Sequence, residues 1–275
     1  MKNRILIALI FIPLLVFIYL KGELLFLLFT NVIVGVSLYE FYGMMKASGR
    51  EVALEYGVTI GMGLSVSMYL AEKGFLHNVE GYVVPICVFI SMSLLIMRVL
   101  QKKIEGSTAY IGNTFLGLLY ISLLYLHIYG IRGLENGGYW ILTLQILLWV
   151  SDSAAYFVGI KFGRKFFKEG LSVISPKKSY EGLIGSMIFT ILGLFLIKLV
   201  WFKHMNISYL HMIAIALIVS LIGTVGDLAE SMFKREFGIK DSGVALGEHG
   251  GILDRFDSMI FVLPAVFYYF KLFIK

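Results

Sequence analysis

Four of the chain's five aspartates, Asp227, Asp241, Asp254 and Asp257, fall within 31 positions of the run GDLAESMFKREFGIKDSGVALGEHGGILDRFDS, residues 226–258. Lys234, Arg235, Lys240 and Arg255 add positive charge to the same run. Its glycines, Gly238, Gly243, Gly247, Gly250 and Gly251, give a backbone that can come close to phosphate oxygens. Hard oxygen donors suit Mg2+, which takes one or two carboxylates and completes its shell with substrate phosphates. At helical spacing Asp227, Ser231 and Lys234 lie at i, i+4 and i+7 on one face of a helix end, and Asp254 and Asp257 share a face where another helix begins. Two helix ends can thus aim carboxylates at one point. Taken singly, each residue has a plainer use: an Asp as N-cap, a Lys or Arg as topology anchor, a Gly as turn. Their concentration points to metal-assisted phosphoryl chemistry.

A second stretch, KFGRKFFKEGLSVISPKKSYEG at 161–182, has two uses open to it. It can be a basic loop ending in a Pro-marked helix start. Alternatively, Lys177 and Lys178 hold a phosphate while Asp152, Gly159 and Gly163 line the pocket wall. There is no GxxxxGK[ST] loop and no GxGxxG turn after a strand. His127 and Gln145 fall inside apolar runs and are expected to make interhelical hydrogen bonds. His77, His204 and His211 are expected at the membrane interface.

The elements that must position these residues are set by composition. Of 275 residues, 59% are hydrophobic and only 15% charged, and the mean hydropathy is +0.85. Such a chain is an integral membrane protein. A hydrocarbon core of ~30 Å needs a helical run of roughly 17 to 25 residues. Nine runs qualify, at about 4–20, 23–45, 53–71, 81–100, 108–130, 138–160, 181–202, 208–229 and 258–274. They are unbroken rather than alternating, which argues against a barrel. Pro13, Pro85 and Pro264 fall inside runs, as bilayer helices tolerate. The first run lacks a small-residue cleavage site in the following IYLKGELLF and reads as an uncleaved helix.

The fold class expected is therefore an all-α polytopic membrane protein with about nine transmembrane helices. It forms one integral membrane domain, with N-terminal helices over 1–137 and the motif-bearing helices over 138–275. The single cysteine, Cys87, permits neither an intramolecular disulfide nor a thiol zinc site. Alternate connections of this nine-helix reading hold 17 and 7 of the 24 Lys and Arg. The positive-inside rule then puts the N-terminus in the cytoplasm, the C-terminus outside, and both chemistry-bearing connections in the cytoplasm. The net charge of +6 fits topology and attraction to anionic headgroups. No basic stripe with interleaved aromatics calls for nucleic acid.

SMFKREFGIKDSGVALGEHGGILDRFD, Ser231 to Asp257, resembles the signature of the phosphatidate cytidylyltransferases, or CDP-diglyceride synthases. The serine, the KR and KD pairs, the HGG and the DRxD all stand at that signature's spacing. SDSAAYFVGIKFGRKF, SPKKSYEG and the Gly226–Asp227 pair resemble the family's other cytoplasmic motifs. The likeness is detailed over about 150–258; the N-terminal half matches only in being several apolar helices.

The resemblance implies conversion of CTP and phosphatidate to CDP-diacylglycerol and pyrophosphate at the cytoplasmic face of the cell membrane. It implies Mg2+ held by Asp227 and Asp254, with a second cation left open. Lys177, Lys178, Ser231, Lys234, Arg235 and Lys240 would bind substrate, His249 would act at the phosphates, and Asp241 and Asp257 would orient them. The partners expected are CTP, phosphatidate, membrane lipid and a second copy of the chain as a homodimer. Two other readings stand beside this one. A transporter would place its site near midplane between repeated halves, and no repetition is visible. A CTP-dependent polyprenol kinase would move the γ-phosphoryl group instead.

Overall fold

The computed structural model describes residues 2–76, 83–201, 207–243 and 250–274, with the backbone alone at 2–11, 83 and 201. Among these residues the chain is helical with no strand; one isolated bridge joins Gly170 and Ser179. The helices are α1 (Lys2–Lys21), α2 (Glu23–Ala47), α3 (Leu54–Glu72), α4 (Val83–Leu100), α5 (Ser107–Gly117), α6 (His127–Arg132), α7 (Gly137–Phe162), α8 (Tyr180–Trp201), α9 (Tyr209–Glu236) and α10 (Leu253–Phe273). A π-helical turn, Leu118–Leu123, follows α5 directly. His77, His204, Gly247 and His249 lie outside the described residues.

Six helical stretches among the described residues are long and apolar enough to cross a bilayer: α2, Ser107–Arg132, α7, α8, α9 and α10. The other three expected runs also form helix. α3 is 19 residues long, but Glu55, Thr59, Ser65, Ser67 and Glu72 dilute its apolarity. The described apolar parts of α1 and α4 are shorter, Ile12–Lys21 and Val84–Leu100. The polytopic class therefore holds, with six stretches able to span among the described residues.

The helices cluster into two compact units. The first comprises Met1–Phe29, Gly130–Met232 and Phe256–Lys275. Lipid is as apolar as a leucine side chain, so helices in a bilayer associate through close packing and small residues rather than through loss of water. Glycine supplies this closeness here. A Cβ at Gly226 of α9 would come 2.7 Å from the Asp257 carbonyl oxygen of α10, and one at Gly223 would come 2.8 Å from Leu148 of α7. Gly182 and Gly185 do the same for α8 against α7, at 2.8 Å from the Ala155 carbonyl and 2.6 Å from Val158. Gln145 makes the interhelical bond expected of it, accepting from the Tyr19 hydroxyl at 3.5 Å. His127, in the second unit, bonds locally instead, to the carbonyls of Leu123 and Leu124 in the chain just before it. His211 bonds to the Tyr269 hydroxyl at 2.8 Å.

The second unit comprises Thr30–Tyr129 and Phe233–Arg255. Its centre is aromatic. Tyr42 is fully buried between Gly57 and Gly117 and donates to the Thr114 carbonyl at 2.7 Å. Phe41 meets Tyr120 and Phe233 at ring distances of 5.3 and 5.1 Å. The connection from α4 to α5 is closed by buried Arg98, which pairs with Glu51 at 2.7 Å and donates to the Glu105 carbonyl at 2.7 Å. Desolvation pushes the Glu51 carboxyl up, but hydrogen bonds from Lys103 and Arg98 outweigh it and hold the group below the usual carboxylate range. Arg98 and Lys103 are thus spent on the structure of this connection.

Candidate active site

The sequence-expected residues fall in both units. In the first, α7 ends at Phe162 and the chain returns to α8 through a loop closed by one acidic side chain. Glu181, in the first turn of α8, accepts the backbone N–H groups of Arg164, Phe166 and Phe167 at 3.1, 2.9 and 3.0 Å. These donors would otherwise be orphaned in an irregular segment. The Arg164 guanidinium donates to the Pro176 carbonyl at 2.6 Å, and Leu171 N–H to the Lys178 carbonyl at 2.8 Å. So folded, the loop presents its two lysines to a cleft of about 390 Å³ whose lining includes Asp152, Gly159, Lys177, Lys178, Thr224 and Asp227. Gly163 is absent from that lining; it caps α7, where a Cβ would collide with the Gly159 carbonyl.

Within the cleft Lys178 forms an ion pair with Asp227. The Ser231 hydroxyl donates to the other oxygen of Asp227 at 3.3 Å, the contact that i, i+4 spacing foretells. Asp152 is close enough to feel the charges of both Asp227 and Lys178. Two carboxylates and two lysines around one cleft can hold an anion and a cation together. A larger groove on α7 and α8, about 650 Å³, is walled by apolar side chains with Ser153 and Lys161 and has no carboxylate.

In the second unit α9 ends in a Schellman turn: Gly238 takes φ +72°, and Ile239 N–H reaches the Lys234 carbonyl at 2.9 Å. Phe233 and Phe237 pack in the aromatic centre, and Arg50 pairs with Glu236 at 2.6 Å while lying 4.8 Å above the Phe237 ring. That turn carries Lys234, whose ammonium pairs with Asp254 at 2.7 Å, both side chains being about seven-eighths buried (13% and 14% exposed). The second oxygen of Asp254 accepts Gly251 N–H at 2.8 Å and Ser242 N–H at 3.2 Å. Asp254 is therefore a cap of α10 and a buried charge at once. Arg235, Lys240 and Asp241 are exposed. Asp257 belongs to the first unit and accepts Ser258 N–H at 2.6 Å.

Among the described residues no three His, Cys, Asp or Glu side chains form a protein-only metal site. The donor set is two carboxylates, Asp152 and Asp227, on one cleft with Lys177 and Lys178. That fits a divalent ion which brings phosphate oxygens as its remaining ligands. Two residues escaped the sequence reading. Glu181 stands inside SPKKSYEG, yet its work is to close the loop. Glu40 of α2 is 6% exposed and accepts backbone N–H groups of Ile252 and Leu253 at 3.1 and 2.9 Å. A carboxylate deep in an apolar run was the available signal.

The model of the Cytidylyltransferase family matches residues 2–273. Proteins named phosphatidate cytidylyltransferase are similar over nearly their whole length. That of Bacillus subtilis is 33% identical over 99% of this chain and 98% of its own. Those of Staphylococcus saprophyticus and Staphylococcus epidermidis are 33% and 34% identical, each over 96% of both chains.

Proposed function

The chain belongs to the cytidylyltransferase family, and we propose that it transfers CMP from CTP to phosphatidate, releasing pyrophosphate and leaving CDP-diacylglycerol in the membrane. The observation that carries this reading into the structure is the Lys178–Asp227 pair beside Asp152 in a cleft that also takes Lys177. In the reaction a phosphatidate oxygen bonds to the α-phosphorus of CTP while the bond to the β-phosphate oxygen breaks. Both reactants are anions, so fixed positive charge must screen their approach and the charge gathering on pyrophosphate. Lys177 and Lys178 supply it in the first unit. Lys234, Arg235 and Lys240, carried over from the signature, supply it in the second, with Ser231 orienting Asp227.

The divalent ion proposed is Mg2+; the family resemblance gives it Asp227, just before the signature, and Asp254, within it, as ligands, and in the first unit Asp152 stands on the same cleft as Asp227. When bound it adds positive charge at the phosphates. His249 keeps the contact with the phosphates, and Asp241 and Asp257 the orienting roles, that the signature implies.

The test follows the label. With Mg2+ and phosphatidate, CTP labelled at the α-phosphate should pass its label to lipid with one pyrophosphate released per CDP-lipid, and a polyprenol should give no product. Transfer of a γ-label to polyprenol, with none of the α-label reaching phosphatidate, would make the protein a kinase.

The protein is proposed to cross the cell membrane nine times, with its N-terminus and the site in the cytoplasm. Support comes from the 17 to 7 distribution of Lys and Arg over alternate connections. Alkaline phosphatase fused after Lys275 should then be active in a bacterial host, since that enzyme matures outside the cytoplasm. An active cytoplasmic reporter at the same position would sink the count.

A further inference from the structure

Glu40 stands more than 200 residues before the chain it holds, and that chain is the signature. Its carboxylate is buried in α2, a helix apolar enough to span the bilayer. A carboxylate there persists only if strong donors replace its water. The donors are Ile252 and Leu253 N–H at 3.1 and 2.9 Å and the Ser242 hydroxyl at 3.4 Å. The first two are the amides where α10 begins, Ile252 just before it and Leu253 its first residue, which have no partner within the helix and stand at the positive end of its dipole.

The glycines agree. A Cβ at Gly243 would lie 2.6 Å from one Glu40 oxygen, and a Cβ at Gly251 would strike the Ser242 hydroxyl that bonds to Glu40 and lie 2.6 Å from the other Glu40 oxygen. Two signature glycines thus admit this carboxylate where the sequence suggests a phosphate.

The same short segments hold Asp254. Ser242 gives its N–H to Asp254 and its hydroxyl to Glu40; Gly251 N–H goes to Asp254 and the next amide, Ile252, to Glu40. Displacing Glu40 must therefore shift the donors that orient Asp254, and with them its pair with Lys234. We propose that Glu40 is a positioning residue of the transfer site, fixing the start of α10 and thereby the direction of Asp254. The inference rests on the reading of the signature as the transfer site. It also gives the N-terminal helices a part in the reaction, since α2 supplies from outside the signature the acceptor that the signature's chain turn needs.

The experiment compares the full chain in detergent with Glu40→Ala, Glu40→Gln and Gly251→Ala, using Glu55→Gln on the exposed face of α3 as control. Misplacement of about 1 Å at a reacting centre can cost on the order of 10²-fold in rate. Glu40→Ala and Gly251→Ala should lower kcat by about that factor with KM for CTP little changed, and Glu40→Gln, which keeps one acceptor and the volume, should recover part of it. Amide exchange in the peptide covering 250–254 should quicken by about tenfold while the other helices exchange as before, because opening is local. Wild-type kcat in Glu40→Ala, or exchange quickened evenly through all helices, would overturn the proposal. If the unaltered chain forms no CDP-lipid, the functional reading fails, and the exchange data still decide whether Glu40 holds the α10 start.

Discussion

Asp227→Asn should abolish nearly all CDP-lipid formation, a loss on the order of 10³-fold in kcat, while the protein still inserts and melts almost as before. The substitution keeps the shape and the Ser231 hydrogen bond but removes the charge that faces Lys178 and Asp152. Because the Lys178–Asp227 pair is partly exposed, at 26% and 35%, losing it should cost under about 1 kcal/mol of stability.

Asp254→Asn should lose comparable activity for a mixed reason. That carboxylate pairs with a mostly buried lysine and caps two backbone N–H groups, so roughly 1 to 3 kcal/mol of stability should go with it. Melting temperature separates the two: a clear drop for Asp254→Asn and little for Asp227→Asn. A wild-type rate from either variant removes that residue from the reaction. Loss of activity in Asp227→Asn only in step with unfolding would reduce Asp227 to a structural role.

The residues that could be read without a structure are those whose partners are local or whose type is expensive in a bilayer. Ser231 bonds to Asp227 because they stand four apart on α9, and Gly238 ends that helix because a positive φ suits glycine. Asp152, Lys177 and Lys178 could be grouped as wall and clamp because an acid or a lysine pair beside an apolar run needs a reason. What could not be read is which distant partner each charge takes. Lys178 reaches Asp227 across 49 positions only because Glu181 ties down the loop between α7 and α8. Glu40 meets Ile252 across 212 positions, and hydropathy assigns α2 nothing beyond a span. The signature puts Lys234 on a phosphate, and here its ammonium is on Asp254, since in a mostly buried setting the nearest carboxylate satisfies it. Hydropathy alone does not decide α3 either, a helix packed against aromatic neighbours through Gly57 whose composition is more polar than that of the six apolar stretches.

Lys178 and Lys177 stand side by side in sequence, and their neutral variants should fail differently. Lys178 is half-buried and fixed by Asp227, so its charge is already in place when the transition state forms. Lys178→Gln should therefore lower kcat by about 10²-fold with little change in KM. Lys177 lines the same cleft but is exposed, so its long side chain contributes mainly to drawing an anion in. Lys177→Gln should raise KM for CTP or phosphatidate several-fold and leave kcat near wild type. Lys102→Gln with Lys103→Gln is the control, since Lys103 pairs with Glu51 in the other unit. The Mg2+ titration then distinguishes a clamp from a topology anchor. Lys178 competes with any cation for Asp227, so Lys178→Gln should reach half-maximal rate at a lower Mg2+ concentration than wild type, whereas Asp227→Asn should need more. Equal losses from the two lysine pairs, with no change in the Mg2+ requirement, would leave Lys177 and Lys178 as positive-inside residues with no part in the reaction.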